Sequence, residues 1–157
     1  MDYKSVLAQC ENQSIGSAVA DALNTLLTDA KDLRNLVNDT HERTVAEMLA
    51  RYLRPHFGDY DVNVDYNRIE DEIKKVTWRI GAGREPDSVY PDIIVHRRFT
   101  QDNLLVIELK KDSNPEAKTE DILKLRAYRA ELGYTHALFI RLGVGASAGS
   151  VSECEWV

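Results

Sequence analysis

The stretch Pro91–Lys111, PDIIVHRRFTQDNLLVIELKK, contains two short apolar runs joined by a polar segment. The runs Ile93–Val95 and Leu104–Leu109 are rich in β-branched residues and leucine and are too short for helices. They predict two strands with a turn between them. Strand side chains alternate between the two faces, so Glu108 and Lys110 are expected to point the same way at the exit of the second strand.

Asp92 opens the first of these predicted strands. Two carboxylates at the ends of adjacent strands, here Asp92 and Glu108, can share a hard divalent cation such as Mg²⁺. Such a cation binds a phosphate oxygen, activates water and stabilises a leaving oxygen, and Lys110 beside it can orient the attacking water. The alternative is a surface ion pair between Glu108 and Lys110, which is the common meaning of an isolated E-x-K triplet.

Pro91-Asp92, followed after fifteen residues by Glu108-Leu109-Lys110, resembles the PD-(D/E)XK nuclease superfamily, which has the restriction-endonuclease-like fold. Three further segments resemble motifs of a group of small bacterial and phage nuclease-like proteins: Glu42–Thr44 with Leu49–Leu53, the D-Y-N-R of Asp65–Arg68, and the D-I-x-K-L-x-A-Y of Asp121–Tyr128. The resemblance runs from Glu42 to about Leu142. In this group Glu would be expected where Asp65 stands.

The resemblance implies an α+β fold, in which a mixed core sheet is flanked by helices. It also implies hydrolysis of phosphodiester bonds in nucleic acid, with DNA favoured, by a site that uses Mg²⁺ or Mn²⁺. The implied metal ligands and catalytic groups are Asp92, Glu108, the Leu109 carbonyl, Glu42 and, to position water, Lys110. Glu42 is equally well explained as a carboxylate favoured by a helix N-terminus. Phosphate contacts are expected from basic residues near the site: Arg68, Arg97, Arg98, Lys111 and Lys124.

The other reading of the same resemblance is a catalytically inactive domain that binds nucleic acid or a protein partner. A net charge of -6 argues mildly against a protein that coats nucleic acid non-specifically, since such binding neutralises phosphates. It does not exclude a nuclease, because local basic patches and a bound metal can dominate a site. A homodimer is a reasonable expectation, because cutting both strands of a duplex takes two sites.

A length of 157 residues suits one domain, which we divide into a helical extension over 1–38 and a nuclease-like core over 39–157. No apolar run approaches the roughly 20 residues of a membrane span, and the N-terminus does not resemble a secretory signal. Cys10 and Cys154 match no metal-binding spacing. We therefore expect free thiols in a reducing cytoplasm.

The remaining elements follow from periodicity and turn residues. A long or broken helix is predicted over about 14–38 with Ser14 as its N-cap, and a second helix from the cap signal Asn38–Thr40 to about His56. A helix capped by Ser113 or Asn114 is expected to start at Pro115 and stop at Gly133. Strands are predicted at 59–68, Tyr134–Leu142 and Val151–Val157. The segment Ile69–Trp78 suits a short helix or a strand, and the basic residues Lys74, Lys75, Arg79 and Arg84 suggest a DNA-facing flap or a solvated loop.

Overall fold

The structure is a computed structural model that describes residues 2–66 and 90–157, together with the backbone of short strands between them. The helices before the sheet are α1 (Tyr3–Leu7), α2 (Gln13–Thr28), α3 (Ala30–Val37) and α4 (Glu42–Leu53), and α4 continues into a 3-10 turn at Arg54–His56. The later elements are β1 (Asp61–Val64), β6 (Ile93–His96), β7 (Asn103–Lys111), α5 (Thr119–Leu132), β8 (His136–Leu142) and β9 (Val151–Trp156). Four two-residue strands follow β1 in the sequence and form two separate antiparallel pairs. Strand β2 (Arg68–Ile69) pairs with β3 (Glu72–Ile73), and β4 (Lys75–Val76) pairs with β5 (Asp87–Ser88).

The main sheet has five strands in the order β1-β6-β7-β8-β9. Strands β6 and β7 form the predicted antiparallel hairpin, with Ile93 opposite Ile107. Strand β8 lies parallel to β7, because α5 crosses over between them as the sequence predicts. Strand β9 closes the far edge antiparallel to β8, so the predicted last edge strand is confirmed.

Each face of the sheet is covered by its own set of helices. On one face, apolar residues of α1, α2, α3 and α4 form a single cluster with Ile93, Ile107 and Leu109. On the other face, α5 packs on Val106 and its neighbours in a smaller cluster. The predicted α+β architecture, a mixed sheet flanked by helices, is therefore confirmed. The helices of the predicted N-terminal extension cover the core.

The ends of the N-terminal helices differ from the predicted ones. The side chain of Asn12, not Ser14, caps α2, since its Oδ1 accepts hydrogen bonds from the main-chain N–H groups of Ser14 and Ile15. The helical segment breaks at Asp29, which ends α2 and caps α3 through its own carboxylate. Helix α4 begins at Glu42 and has no side-chain cap, so the predicted cap in Asn38–Thr40 is wrong.

Helix α5 begins four residues later than its sequence signals predict. Its first residue is Thr119, and no side chain caps it. The side chain of Asn114 instead accepts a hydrogen bond from the main chain of Glu116. Arg141 of β8 donates to the carbonyl oxygens of both Asn114 and Glu116, and these tertiary contacts hold the segment outside the helix. The predicted stop is correct, because Gly133 ends α5 in the left-handed conformation with φ 70°.

Candidate functional site

The structure brings Asp92 and Glu108 together at one end of the sheet. Because Ile93 lies opposite Ile107, Asp92 comes beside Glu108 just before β6 begins. The Oδ2 atom of Asp92 accepts a hydrogen bond of 2.7 Å from the main-chain N–H of Leu109. This carboxyl group therefore continues the strand pairing beyond Ile93, the first residue of β6. The carboxyl groups of Asp92 and Glu108 lie close enough for one to donate a hydrogen bond to the other when it is protonated.

The carboxyl pair is withdrawn from solvent. Glu108 is only 6% exposed, and burial together with the nearby charge and hydrogen bond of Asp92 raises its pKa well above the ordinary range. Burial also raises the pKa of Asp92, although the hydrogen bonds from Glu108 and Leu109 oppose this shift. Two carboxylates this close resist ionising together. We assign a shared proton to the pair in the absence of a cation, with Glu108 as the donor.

Helix α5 presents further polar residues to the same face of the sheet. Tyr128 donates a hydrogen bond of 3.0 Å from its hydroxyl to Oε1 of Glu108. The charge of Lys124 lowers the pKa of Glu108, which places this ammonium group close to the carboxyl pair. Asp121 lies three residues before Lys124 and seven before Tyr128, so the three side chains follow one side of the helix. The carboxyl pair is thus enclosed between β7 and α5.

Lys110 lies on the same face of β7 as Glu108, as the strand alternation predicts. It is 8% exposed, and its Nζ lies 2.7 Å from Oδ2 of Asp121 and 3.5 Å from Oε2 of Glu116. Burial acts to lower the pKa of Lys110, but the hydrogen bond and charge of Asp121 outweigh it and leave the pKa raised. Lys110 is therefore a buried, fully protonated ammonium group at neutral pH.

Glu42 approaches the site from the helical layer on the other face of the sheet. It is the first residue of α4, and its Oε1 accepts a hydrogen bond of 3.2 Å from the side-chain amide of Asn114. Its charge raises the pKa of both Asp92 and Lys110. Glu47 of the same helix is exposed and lies 3.9 Å from Arg54. Of the two glutamates, Glu42 is the one near the candidate site.

Asp65, the acidic residue of the D-Y-N-R motif, lies just beyond the end of β1. Its φ of 55° is in the left-handed region, and its main-chain N–H donates a long hydrogen bond of 3.4 Å to the carbonyl of Asp92. Its carboxylate lies 3.5 Å from Nε of Arg43. Tyr66 packs against the smaller core cluster, as expected for a core residue, and its ring lies 4.9 Å from that of His96.

The donor set at the carboxyl pair fits a hard divalent cation. Among the described residues, no three His, Cys, Asp or Glu side chains form a preformed metal-binding site. Asp92 and Glu108 nevertheless supply two oxygen donors whose mutual repulsion a cation would relieve, as a proton does in its absence. The Leu109 carbonyl and Glu42 as further ligands stay predictions, and Oε1 of Glu42 is hydrogen-bonded to Asn114.

The residues predicted to contact phosphate are distributed over both ends of the sheet. Lys111 is the last residue of β7, and its Nζ is 2.8 Å from Oδ1 of Asp39. Lys124 lies near Glu108. Arg68 and the predicted flap residues Lys74, Lys75, Arg79 and Arg84 lie outside the residues whose side chains the structure describes.

The expectation that Arg97 and Arg98 flank the carboxylates is wrong. Both follow β6 at the hairpin turn, so five steps of extended chain, about 16 Å, separate Arg97 from Asp92. Arg97 forms an ion pair of 3.0 Å with Asp102, and Nε of Arg98 donates to Asn63. Closeness in the sequence to Asp92 was misleading, because an extended strand carries successive residues steadily away from its starting point.

Sequence reasoning missed three site residues: Asp121, Tyr128 and Asn114. Asp121 and Tyr128 both belong to the motif from which Lys124 was selected, and their spacing on one side of α5 is a signal that was available. The ring of Tyr128 lies in the smaller hydrophobic cluster, while its hydroxyl reaches Glu108. The contact of Asn114 with Glu42 joins residues 72 apart in sequence and depends on the tertiary fold.

Comparison with known proteins does not identify the chain: no family model, no curated protein and no solved structure matches it. Within residues 2–66 and 90–157 no helix is long and apolar enough to cross a membrane. The relation to the PD-(D/E)XK superfamily is therefore a proposal, and it rests on the site residues.

Proposed function

We propose that the protein is a nuclease of the PD-(D/E)XK type that uses Mg²⁺, or Mn²⁺ in its place, to hydrolyse phosphodiester bonds in DNA. The observation that supports this proposal is the buried pair of Asp92 and Glu108 with Lys110 on the same face of the sheet. Burying ionisable groups costs folding free energy, so a cluster of this kind is more common at functional sites than elsewhere.

In this proposal each side chain has a defined part. Asp92 and Glu108 hold the metal ion, with Glu42 and the Leu109 carbonyl as further ligands. The bound ion would supply Lewis-acid stabilisation of the phosphate and a more acidic water. Tyr128 fixes the orientation of Glu108 through its hydroxyl hydrogen bond.

Lys110 supplies the positive charge of the site. Its ammonium group donates hydrogen bonds that can orient the attacking water or offset charge growing on the phosphate. Asp121 holds that group in place at 2.7 Å. Lys111 and Lys124 lie at the same end of the sheet and would contact the flanking phosphates, as Arg68 would if its side chain reaches them.

The proposal is tested by cleavage assays on single-stranded, duplex and branched DNA and on RNA, with Mg²⁺ or Mn²⁺. Asp92→Asn is preferred to Asp92→Ala, because the asparagine oxygen can still accept the hydrogen bond from Leu109. We expect Asp92→Asn and Lys110→Ala each to lower the cleavage rate about 100-fold or more. Glu47→Gln and Lys31→Ala are matched controls for charge removal at exposed helical positions and should cleave like the wild type. Wild-type rates in both site variants would refute the proposal.

A second candidate function, a non-catalytic binding module, is favoured by one feature of the site. Asp92, Glu108 and Lys110 each have a partner within the protein, namely Leu109, Tyr128 and Asp121. Such a network could serve stability alone. A wild-type protein that binds nucleic acid or a protein partner equally well with and without divalent cations, and cleaves none of the substrates, would support the binding module.

A further inference from the structure

A second cluster of potential metal ligands lies at the opposite end of the sheet from the carboxyl pair. A pocket of about 230 Å³ opens there between the turn after α1, the start of β8 and the end of β9. It is lined by Gln9, Cys10, Glu11, Arg129, His136 and Trp156, among others. Strand β8 places His136 opposite Leu105 and Phe139 opposite Glu108, so His136 lies about 10 Å along the strand from the level of Glu108.

Cys10 and His136 face each other inside this pocket. The Sγ atom of Cys10 lies 3.8 Å from Nδ1 of His136, although the two residues are 126 apart in sequence. A Zn²⁺ ion with a bond of about 2.3 Å to sulfur and about 2.0–2.1 Å to nitrogen holds these atoms about 3.5 Å apart when tetrahedral. The observed separation corresponds to a sulfur–metal–nitrogen angle of about 120°. The pair is thus already spaced as two ligands of one ion.

The surroundings of the pair suit a metal ligand set. His136 is half-buried in the wall of the pocket, and its Nδ1 faces the Cys10 thiol. The ring of Trp156 packs edge-on against His136, with ring centroids 6.2 Å apart. Cys10 is 6% exposed, so its thiol is reached through the pocket.

A third ligand is available on the rim of the pocket. Glu11 is exposed, and its charge acts on both Cys10 and His136. Because the described residues contain no ready-made group of three such ligands, Glu11 must rotate to join the other two. Arg129 opposes a cation, but its Nη1 donates to the main-chain oxygen of Val157, and Glu11 offsets its charge.

We propose that Cys10 and His136, with Glu11, form a binding site for Zn²⁺ or a similar thiophilic divalent cation. The thiol proton passes to solvent as the metal–sulfur bond forms, and water occupies the remaining position. Thiolate and imidazole donors favour such ions over Mg²⁺, whereas the oxygen donors of Asp92 and Glu108 favour Mg²⁺. The two ends of the sheet would therefore select different metals, and this site does not depend on the proposed nuclease function.

Cobalt titration tests the proposal directly, because Co²⁺ bound to a thiolate gives a charge-transfer band in the near ultraviolet that oxygen ligands do not give. The full-length protein would be titrated with Co²⁺ in a non-thiol reductant, followed by Zn²⁺. We expect a band that saturates at one equivalent in the wild type and disappears when Zn²⁺ is added. Cys10→Ser and His136→Gln should each lose the band.

Matched variants separate this site from the other cysteine, from an exposed histidine and from the carboxyl pair. Cys154→Ser removes the other cysteine, His41→Gln removes an exposed histidine, and Asp92→Asn removes a carboxylate of the proposed nuclease site. All three should keep the band. Circular dichroism would establish that Cys10→Ser and His136→Gln are folded, and Zn²⁺ should raise the unfolding temperature of the wild type but of neither variant. No band in the wild type, a band retained in folded Cys10→Ser, or a band lost in Cys154→Ser would overturn the proposal.

Discussion

One carboxyl group, that of Asp92, serves both the sheet and the candidate site. It accepts the main-chain hydrogen bond of Leu109 just before β6 begins, and it also contacts Glu108. Replacement by alanine would leave the buried N–H of Leu109 without an acceptor, which costs about 1–3 kcal/mol. A loss of function in Asp92→Ala alone would therefore not separate chemistry from folding, and Asp92→Asn is the informative variant.

The raised pKa of Glu108 predicts how the stability of the metal-free protein depends on pH. Between the ordinary pKa of about 4.3 and the higher value in the folded protein, the folded state binds a proton that the unfolded chain has lost. The free energy of unfolding should consequently fall as the pH rises through this window. Glu108→Gln keeps the acceptor for Tyr128 and a donor for Asp92, so it should remove most of that fall.

Urea unfolding in the presence of a chelator, at about pH 5 and pH 8, measures this difference. We expect the wild type to lose stability between the two pH values and Glu108→Gln to lose less, which makes the variant the more stable protein at about pH 8. Glu47→Gln, which changes an exposed glutamate, controls for the general loss of a charge. Parallel pH dependence in the wild type and Glu108→Gln would show that Glu108 ionises normally in the folded state.

At the scale of secondary-structure elements, the contact of α1 with α2 depends on one glycine. A Cβ atom at Gly16 would lie 2.3 Å from the carbonyl oxygen of Leu7, which is main chain and cannot rotate away. Gly→Ala in a helix ordinarily stabilises by about 1 kcal/mol. Here we expect Gly16→Ala to destabilise by about 2 kcal/mol or more, because α1 must shift to make room.

The control for Gly16→Ala is Gly58→Ala, in the exposed turn after α4. A Cβ at Gly58 meets no atom within 4 Å, so this change should alter the free energy of unfolding by no more than about 0.5 kcal/mol. Denaturant unfolding of both variants gives the comparison. Equal stability of the two variants would mean that the close approach of α1 to α2 is not present in solution.

The elements themselves differ in how far the sequence could predict them. The runs Ile93–Val95 and Leu104–Leu109 gave the hairpin, because β-branched residues and alternation are local signals that the tertiary structure did not override. The start of α5 could not be found in this way. Arg141 lies on β8, more than twenty residues later in the sequence, and donates hydrogen bonds to the carbonyl oxygens of Asn114 and Glu116. The starts of α2 and α3, by contrast, are set by the local side-chain caps Asn12 and Asp29.

The candidate site was predictable to a similar degree. Alternation along β7 placed Glu108 and Lys110 on one face, and the prediction of two adjacent strands placed Asp92 beside Glu108. The spacing of Asp121 and Tyr128 indicates that they share one side of α5, but only the rotation of that helix over the sheet turns this side toward Glu108. The Cys10–His136 pair was out of reach of sequence spacing, because its members meet only when β8 and the turn after α1 pack together.

At the scale of the whole molecule, the end of the sheet that carries Asp92 and Glu108 receives residues from both helical layers. Glu42 belongs to α4, Asp121 belongs to α5, and the charges of both act on Asp92. A cation held at Asp92 and Glu108 would favour the folded state over the unfolded chain, which has no such site. Binding should therefore appear as a gain in global stability, without any assay of catalysis.

We expect Mn²⁺ at about 100 times its dissociation constant to raise the free energy of unfolding of the wild type by about 2.7 kcal/mol. Asp92→Asn should show little of this gain at the same concentration, because it removes one of the two negative donors. Cys10→Ser should show the full gain, since the thiol lies at the other end of the sheet. Calorimetric titration supplies the dissociation constant, and urea unfolding with and without Mn²⁺ supplies the gain. If Asp92→Asn gains as much as the wild type, Mn²⁺ binds elsewhere, and the carboxyl pair is then a structural element of the fold.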